Sequence, residues 1–271
     1  NNNFHIIINM NKLITLLKKL KKNNIVAVKQ ALEDEGASFD DLSVMRKVTK
    51  KAKVSLNVKI GGCEAKNDIF FCKNLNVDAL VAPMVESKYA LKKFIQCSGS
   101  IKKNLLFINL ETLDSLKNLD KMLKTASFKF LDGVVIGRSD LAGSIDLKKK
   151  DVDSEIIYNL VKKTFSKLRK KVKKKLILKM GGSITPNSAN FIRNLYSRKL
   201  LDSIETRNIE IKLDKASIDN LEDIIPKAFE FELEWLKYKL SLSNKQKNKF
   251  IKLDYLKRAS EIKKRLSNSN I

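Results

Sequence analysis

From Asn24 onward, short runs dense in valine, isoleucine and leucine alternate with longer amphipathic runs. The apolar runs fall at 25–32, 54–60, 79–85, 105–110, 133–136, 176–179 and 204–209. Each has strand length, and near-continuous apolar character is what a strand covered on both faces requires. Between them, 39–52, 64–75, 87–96, 113–126, 153–171 and 189–198 repeat at helical period. Ser87 and Ser188 stand where caps belong, just ahead of two of these helices. Strict strand–helix alternation predicts parallel strands, because each return of the chain needs a crossover.

Seven strands are visible, and alternation alone admits either an open doubly wound sheet or a closed barrel. No GxGxxG follows the first strand, and Gly61-Gly62 comes after the second, so the dinucleotide fingerprint is missing. Charged residues instead gather at the C-terminal ends of nearly every strand. They are Glu33-Asp34-Glu35, Lys59, Glu86, Glu111, Arg138 with Asp140, Lys179, and Glu205 with Arg207. A barrel brings all these ends to one face, where active sites are built, whereas an open sheet spreads them along an edge. The pattern therefore predicts an α/β fold, a parallel (β/α) TIM-type barrel over 11–217. An eighth strand falls at 4–9, or the barrel is incomplete. Past residue 217 the pattern changes. A helix over 218–240 carries Phe229, Leu233, Leu236 and Leu240 on one face, and a basic helix follows around 255–266. This C-terminal helical extension, 218–271, holds Trp235 and either caps the barrel or reaches another subunit. A homo-oligomer is expected.

Composition changes the picture at two points. The chain has 271 residues, 43% of them hydrophobic, which is ample for a dry core. Its 55 Lys+Arg against 30 Asp+Glu give +25, an excess that suits a nucleic acid or an anionic membrane surface. Yet the basic residues are spread over helical stretches such as 18–22 and 170–175, without the interleaved aromatics of a single-strand binding face. Solvated helix faces are expected, with no nucleic-acid and no membrane partner. Cys63, Cys72 and Cys97 lack CxxC spacing and fit reduced thiols in a cytoplasmic protein. No apolar run is long enough to span a bilayer, and 4–8 is too short for a signal-peptide core.

The only histidine is His5, outside the strand–helix core. Ser-His-Asp triads, Cys-His dyads and histidine-ligated zinc are thereby excluded. A metal must be held by oxygens, which points to Mg²⁺ or Mn²⁺. A general base must be a carboxylate, a lysine, metal-bound water or the substrate. Glu111 and Asp140 end neighbouring strands, which lie about 4.8 Å apart, so both carboxylates can reach one small cation. The plainer alternative has Asp140 capping a helix and Glu111 paired with a lysine. Gly181-Gly182-Ser183-Ile184-Thr185 lies between a strand and a helix, either a plain turn or an anion cradle. Arg207 can offer a bidentate anion contact, and Lys29, if inward, needs a carboxylate such as Glu33 or Glu205.

Several segments together carry a resemblance: Glu35 with Ser38-Phe39-Asp40, then Ala82-Pro83-Met84-Val85-Glu86-Ser87, Leu110-Glu111-Thr112 and Ile136-Gly137-Arg138-Ser139-Asp140-Leu141. In this order they are similar to the HpcH/HpaI aldolase and citrate lyase β-chain family, over about 25–207. The resemblance implies a metal-dependent (β/α) barrel that makes or breaks C–C bonds beside a 2-oxo acid or thioester. It places the metal carboxylates on Glu111 and Asp140. Two positions depart from the family pattern. Its acidic residue–histidine pair reads Glu35-Gly36 here, and its substrate-holding arginine falls near Lys59, in Asn57-Val58-Lys59-Ile60-Gly61-Gly62. Lysine holds a carboxylate as a point charge and lacks the bidentate fork.

The expectation is a metal-dependent carbon–carbon lyase acting on a small anionic substrate, a 2-oxo acid or related carboxylate. Glu35 and Lys59 are the candidate catalytic residues. Lys59, Gly61, Gly62 and Arg207 are the candidate substrate contacts, and Glu111 and Asp140 the candidate Mg²⁺ or Mn²⁺ ligands. Two alternatives stay open: a phosphoenolpyruvate-using enzyme in which Lys59, Arg138 and Arg207 meet the phosphate, and a non-catalytic metabolite-binding barrel. The dispersed charge makes one prediction at this level. In a mobility-shift assay, binding to DNA or RNA should be weak, without sequence preference, and should collapse as salt rises from 50 to 200 mM (about the range over which phosphate contacts are lost). Tight binding that survives high salt would contradict the dispersed-charge reading.

Overall fold

The computed structural model describes residues 2–33, 35–99, 104–243 and 249–268. The chain begins with α1 (Asn2–Lys21) and runs through β1 (Ile25–Ala31), α2 (Phe39–Ala52), β2 (Ser55–Lys59), α3 (Lys66–Asn74), β3 (Ala79–Ala82) and α4 (Lys88–Ser98). After β4 (Leu105–Leu110) come the short α5 (Leu113–Lys117) and α6 (Leu119–Leu123), then β5 (Gly133–Gly137), α7 (Arg138–Gly143) and α8 (Glu155–Lys171). The barrel ends with β6 (Ile177–Gly181), α9 (Ala189–Ser197), β7 (Ser203–Glu205) and β8 (Ile209–Lys212), and α10 (Lys215–Asp219), α11 (Leu221–Ser243) and α12 (Lys249–Asn268) follow. No helix among the described residues is long and apolar enough to cross a membrane.

Local chemistry sets several of these boundaries. Ser38 and Asp41 form a capping box that starts α2, and Lys53 ends it in the left-handed conformation. Ser87 caps α4, accepting from the Ala90 amide at 3.0 Å. Ser188 stands at the N-cap position of α9 but makes no side-chain capping bond there. Its hydroxyl donates to Asp153 at 3.0 Å. At the N-terminal ends of the strands, Asp78, Asp132 and Asp202 precede β3, β5 and β7. Each accepts from the backbone amide of the strand before it: Leu56 at 2.8 Å, Leu106 at 2.9 Å and Leu178 at 2.7 Å. A charged acceptor makes a stronger hydrogen bond than a neutral one, so these three aspartates help set the register of alternate strand pairs.

The eight strands close into a barrel in sequence order. β1 to β7 are parallel; β8 is antiparallel to both neighbours, β7 and β1. This corrects two expectations. The segment 4–9 is part of α1 and not a strand, and 204–209 is not one strand but the end of β7, a tight turn at Thr206-Arg207-Asn208, and the start of β8. A connection of three residues can join only antiparallel strands, since a parallel return needs a crossover. The run 113–126 likewise divides into α5 and α6. α1 packs against α2 and α11, burying Leu13, Leu17 and Leu20. α11 and α12 pack on each other, with Trp235 buried inside the chain and the Lys239 ammonium 4.2 Å from the Tyr255 ring centre. The expected boundary at 217/218 falls within α10.

The large apolar core lies between barrel and helices. On the inner face, Ala79, Val81, Phe107 and Val135 form a small separate cluster. Register carries this face round the barrel to polar residues: Lys29 pairs with Asn57, Asn57 with Ala79, Val135 with Lys179 and Glu205 with Glu210. Lys179 Nζ lies 2.6 Å from Glu210 Oε2, 3.8 Å from Glu205 Oε1 and 3.9 Å from the Phe107 ring centre. Lys29 Nζ lies 3.6 Å from Glu205 Oε2. Asn57 and Ser203 donate to the two oxygens of Glu210 at 2.7 and 2.9 Å. Burial, above all, pushes the Glu210 carboxyl above the usual range, and Lys179 pulls it back.

Lys179→Ala should therefore leave Glu210 buried without its cation and cost about 3–5 kcal/mol in urea unfolding. The double variant Lys179→Met, Glu210→Gln should recover most of that loss. A single variant within 1 kcal/mol of native would show that the pair does not hold the barrel interior together.

Candidate active site

The mouth of the barrel, at the C-terminal ends of the strands, holds a cavity of about 380 Å³. Glu35, Lys59, Glu111, Asp140 and Arg207 all line it, with Lys29 and Glu205 at its floor. Glu111 follows β4 and Asp140 lies in α7 just after β5, and these strands are hydrogen-bonded neighbours. Glu111 is 2% exposed. The Met84 amide donates to its Oε1 and Asn109 Nδ2 to its Oε2, both at 2.9 Å. Met84 reaches this position with φ at 50°, a left-handed backbone that a side-chain-bearing residue adopts at some cost. Gly137 leaves the carboxylate its place, since a Cβ there would stand 2.7 Å from Glu111 Oε2. Burial raises the Glu111 pKa most, Lys59 and the two donors oppose it, and the like charge of Asp140 adds to the rise. Asp140 is exposed.

Glu35 is buried, and its Oε2 accepts from Asn208 Nδ2 at 3.0 Å. Gly36, in the place of the family's histidine, has φ at +57° and is not part of the cavity lining. Gly61 and Gly62 are not brought into the cavity either. They lie in a separate depression with Glu33 and Asp68, where Asp68 accepts from the Gly61 amide at 2.7 Å. Arg138 is wholly buried and turned away from the mouth. It donates to the Gly182 carbonyl at 3.0 Å, bonds Asp153, and stacks 4.9 Å from the Phe191 ring centre. With those contacts, Arg138 is not placed to receive a substrate phosphate. Burial lowers its pKa from the usual value and Asp153 opposes this.

Gly181, Gly182, Ser183 and Ile184 form part of the wall, as the glycine-rich segment suggested. Gly182 has φ at +84°, and a Cβ there would meet the Ser139 and Arg138 amide nitrogens at 2.5 and 2.6 Å. The loop thus lies flat on the start of α7, with Ser183 Oγ 2.9 Å from Ser139 Oγ. Sequence reasoning missed four wall residues: Asn109, Lys149, Phe229 and Arg265. Asn109 was legible as an inward position two before Glu111; Phe229 and Arg265, on α11 and α12, were not, because nothing local ties the extension to the mouth.

No group of three or more His, Cys, Asp or Glu side chains gathers as a metal cage among the described residues. The donor set at Glu111 and Asp140 is a pair of hard oxygens, suited to a cation that keeps several waters, as Mg²⁺ does. Asn109 Oδ1 is buried beside them without a hydrogen-bond donor among the described residues, an acceptor that such a water would satisfy. The residues present therefore fit Mg²⁺ or Mn²⁺.

No family model matches the chain, and no curated protein matches its sequence. Solved structures do match by shape. An HpcH/HpaI aldolase from Desulfitobacterium hafniense DCB-2 aligns with a TM-score of 0.59 at 10% identity, covering 77% of this chain and 85% of that one. The citrate synthase SbnG aligns at 0.56 and 10% identity over 72% and 81% of the two chains. An HpcH/HpaI aldolase/citrate lyase family protein from Burkholderia cenocepacia J2315 gives 0.56 and 10% over 71% and 82%. The chain shares their barrel fold.

The close approach at Gly182 makes a direct test of how the wall is held. Gly182→Ala should destabilise the protein by about 2–4 kcal/mol, from the left-handed backbone and the clash with α7 together. Thermal and urea unfolding read it, and an unchanged midpoint would mean that the loop does not rest on α7 in this way.

Proposed function

We propose that this protein is a divalent-metal-dependent carbon–carbon lyase that acts on a 2-oxo acid or related carboxylate. The observation that carries the reading is Glu111: a buried carboxylate, held by the Met84 amide and Asn109, opening on the same cavity as Asp140, Lys59 and Arg207. The shared fold with aldolase and citrate lyase family structures supports a lyase-type activity by analogy. Glu111 and Asp140 would hold Mg²⁺ or Mn²⁺. When bound there, the cation supplies Lewis-acid polarisation of the substrate's carboxylate and keto oxygens.

The remaining work belongs to the chain's own side chains. Lys59 offsets negative charge as it grows on the keto oxygen, at a site already flanked by two carboxylates. Arg207 holds a substrate carboxylate through two parallel N–H donors. Glu35 takes the proton from the carbon beside the keto group or returns it, the task for which the cavity offers no histidine. Asn208 orients that carboxylate from the β7–β8 turn. In the cleavage direction Glu35 takes the proton of the hydroxyl on the departing carbon, whose oxygen becomes a carbonyl as the C–C bond breaks. The C–C electrons pass toward the keto oxygen as an enolate, and the same proton, returned to carbon, yields the free 2-oxo acid.

The test is exchange of pyruvate methyl protons in deuterium oxide, followed by NMR with and without Mg²⁺. Native protein should exchange only with metal present. Glu111→Gln and Asp140→Asn should each weaken Mn²⁺ binding at least about tenfold, a loss typical of removing a charged contact. Glu35→Gln should slow exchange about 10²- to 10⁴-fold while Mn²⁺ affinity holds. A native protein that binds Mn²⁺ yet is inert toward every 2-oxo acid would overturn the lyase reading in favour of a metabolite-binding barrel.

A further inference from the structure

Another cavity opens at the lower end of the barrel. Its volume is about 640 Å³, and it shares no lining residue with the mouth. It lies where β1, β6 and β7 begin and β8 ends, so the backward run of β8 brings Lys212 to this face. Ile177, Leu201 and Leu213 give it an apolar wall, and Tyr196 at the end of α9 adds a ring. Ile177 also packs against the inner cluster of Phe107 and Val135, so this wall continues into the lower bore of the barrel. Ser203 and Glu210 close the cavity inward, beneath the Lys179–Glu210 pair.

The charges around this cavity are unequal. Lys175, Lys199 and Lys212 stand at its rim, all exposed, and none of them has an ion-pair partner among the described residues. Two carboxylates also line it, and both are engaged elsewhere. Asp202 accepts from Arg169 Nη2 and from the Leu178 amide, each at 2.7 Å. Glu210 accepts from Lys179, Asn57 and Ser203. The Lys199 carbonyl accepts from Arg169 Nε at 3.1 Å. The charge left without a counterpart is therefore positive, and it borders an apolar wall. Lysines scattered along a helix make a solvated face; these come from three separate segments and meet at one concavity, where low-dielectric walls focus their field. A volume of this order, mostly apolar with a few polar groups, suits a small ligand.

We propose that this cavity is a ligand site distinct from the barrel mouth, for a small organic anion with an apolar body and one carboxylate or phosphate head. The body lies against Ile177, Leu201 and Leu213, and the head meets the ammonium groups of Lys175, Lys199 and Lys212. Lysine serves either head, because it acts as a point charge and asks for no fork geometry. An inorganic anion alone leaves the apolar wall in water, and a neutral apolar molecule leaves the lysines without a counter-charge. Both halves of the ligand are needed. The site stands whatever the reaction at the mouth.

Calorimetric titration of the full chain tests it, without added Mg²⁺ and at about 0.15 M salt, where exposed charges more than roughly 8 Å apart are screened. The probes are 3-phenylpropionate and phenyl phosphate, with inorganic phosphate and benzyl alcohol as the separate halves. At least one probe should bind one-to-one and about tenfold or more tighter than either half, the worth of one charged contact. The tighter of the two identifies the head. The double variant Lys199→Gln, Lys212→Gln should weaken that probe roughly 10- to 100-fold. Its thermal midpoint should match native protein, since both side chains are exposed. Arg207→Gln, which removes a cation from the mouth instead, should leave the affinity unchanged. Probes that bind no tighter than their halves would overturn the proposal. So would a double variant with native affinity, or a loss in Arg207→Gln as large as in the lysine variant.

Discussion

A lysine inside a closed barrel must find a carboxylate, and the pairing of Lys179 with Glu210 at 2.6 Å is the contact on which this barrel depends. Both groups are almost wholly removed from water. Lys179 comes from β6, and Glu210 comes from β8, the strand that runs antiparallel to its neighbours. Closure and charge balance are thus the same event. The hairpin that brings β8 back between β7 and β1 also delivers the oxygen atoms that Lys179, Asn57 and Ser203 require. Glu205, one step away in register, then serves Lys29 and faces the cavity. Each hydrogen-bonded charge lowers the cost of the next, as expected where the dielectric is low.

The mouth continues this polar interior upward. Above the Lys29–Glu205 level, the Met84 amide and the Asn109 carboxamide each donate to one oxygen of Glu111 and hold it on the cavity. Arg138, two residues before Asp140 and in the same short helix α7, does the opposite. It leaves the cavity and clamps the Gly181-Gly182 turn against α7 and Asp153. The chain thus turns two nearby charged residues to different sides, Asp140 to the cavity and Arg138 to the framework. α11 and α12 complete the rim, and their ties to Asn208 and Glu35 make the mouth a joint product of the barrel and the extension.

Much of this was legible along the chain. β4 and β5 were visible as apolar runs, and because consecutive strands in alternating units are neighbours, Glu111 and Asp140 could be placed side by side. The cost of an inward lysine called for a carboxylate beside Lys29, Glu33 or Glu205, and the structure supplies Glu205. The hairpin was less visible. Ile204-Glu205 and Ile209-Glu210-Ile211 each show two-residue alternation, but a strand of three residues gives periodicity little to repeat. Arg138 and Gly61-Gly62 illustrate a different limit. Standing at a strand end fixes the face of the barrel a residue reaches, but the side chain can still turn to a neighbouring loop, as Arg138 turns to Asp153, and a following loop can open on another depression, as Gly61 does beside Glu33 and Asp68.

The sequence by itself determined the alternation of strands and helices, the absence of histidine from the core, and the row of charges at strand ends, since each is a local property of composition or period. Those three features suffice for a barrel whose mouth is lined by charged side chains. Only the tertiary structure decided that the last strand runs backward, that Lys179 sits below the site while Lys59 lines it, and that Phe229 and Arg265 form its outer wall. The physical reason is separation along the chain. Glu35 and Arg258 are 223 residues apart and Asn57 and Glu210 are 153 apart, and no local preference encodes a contact that exists only once a closed sheet and its packed helices bring the two ends together.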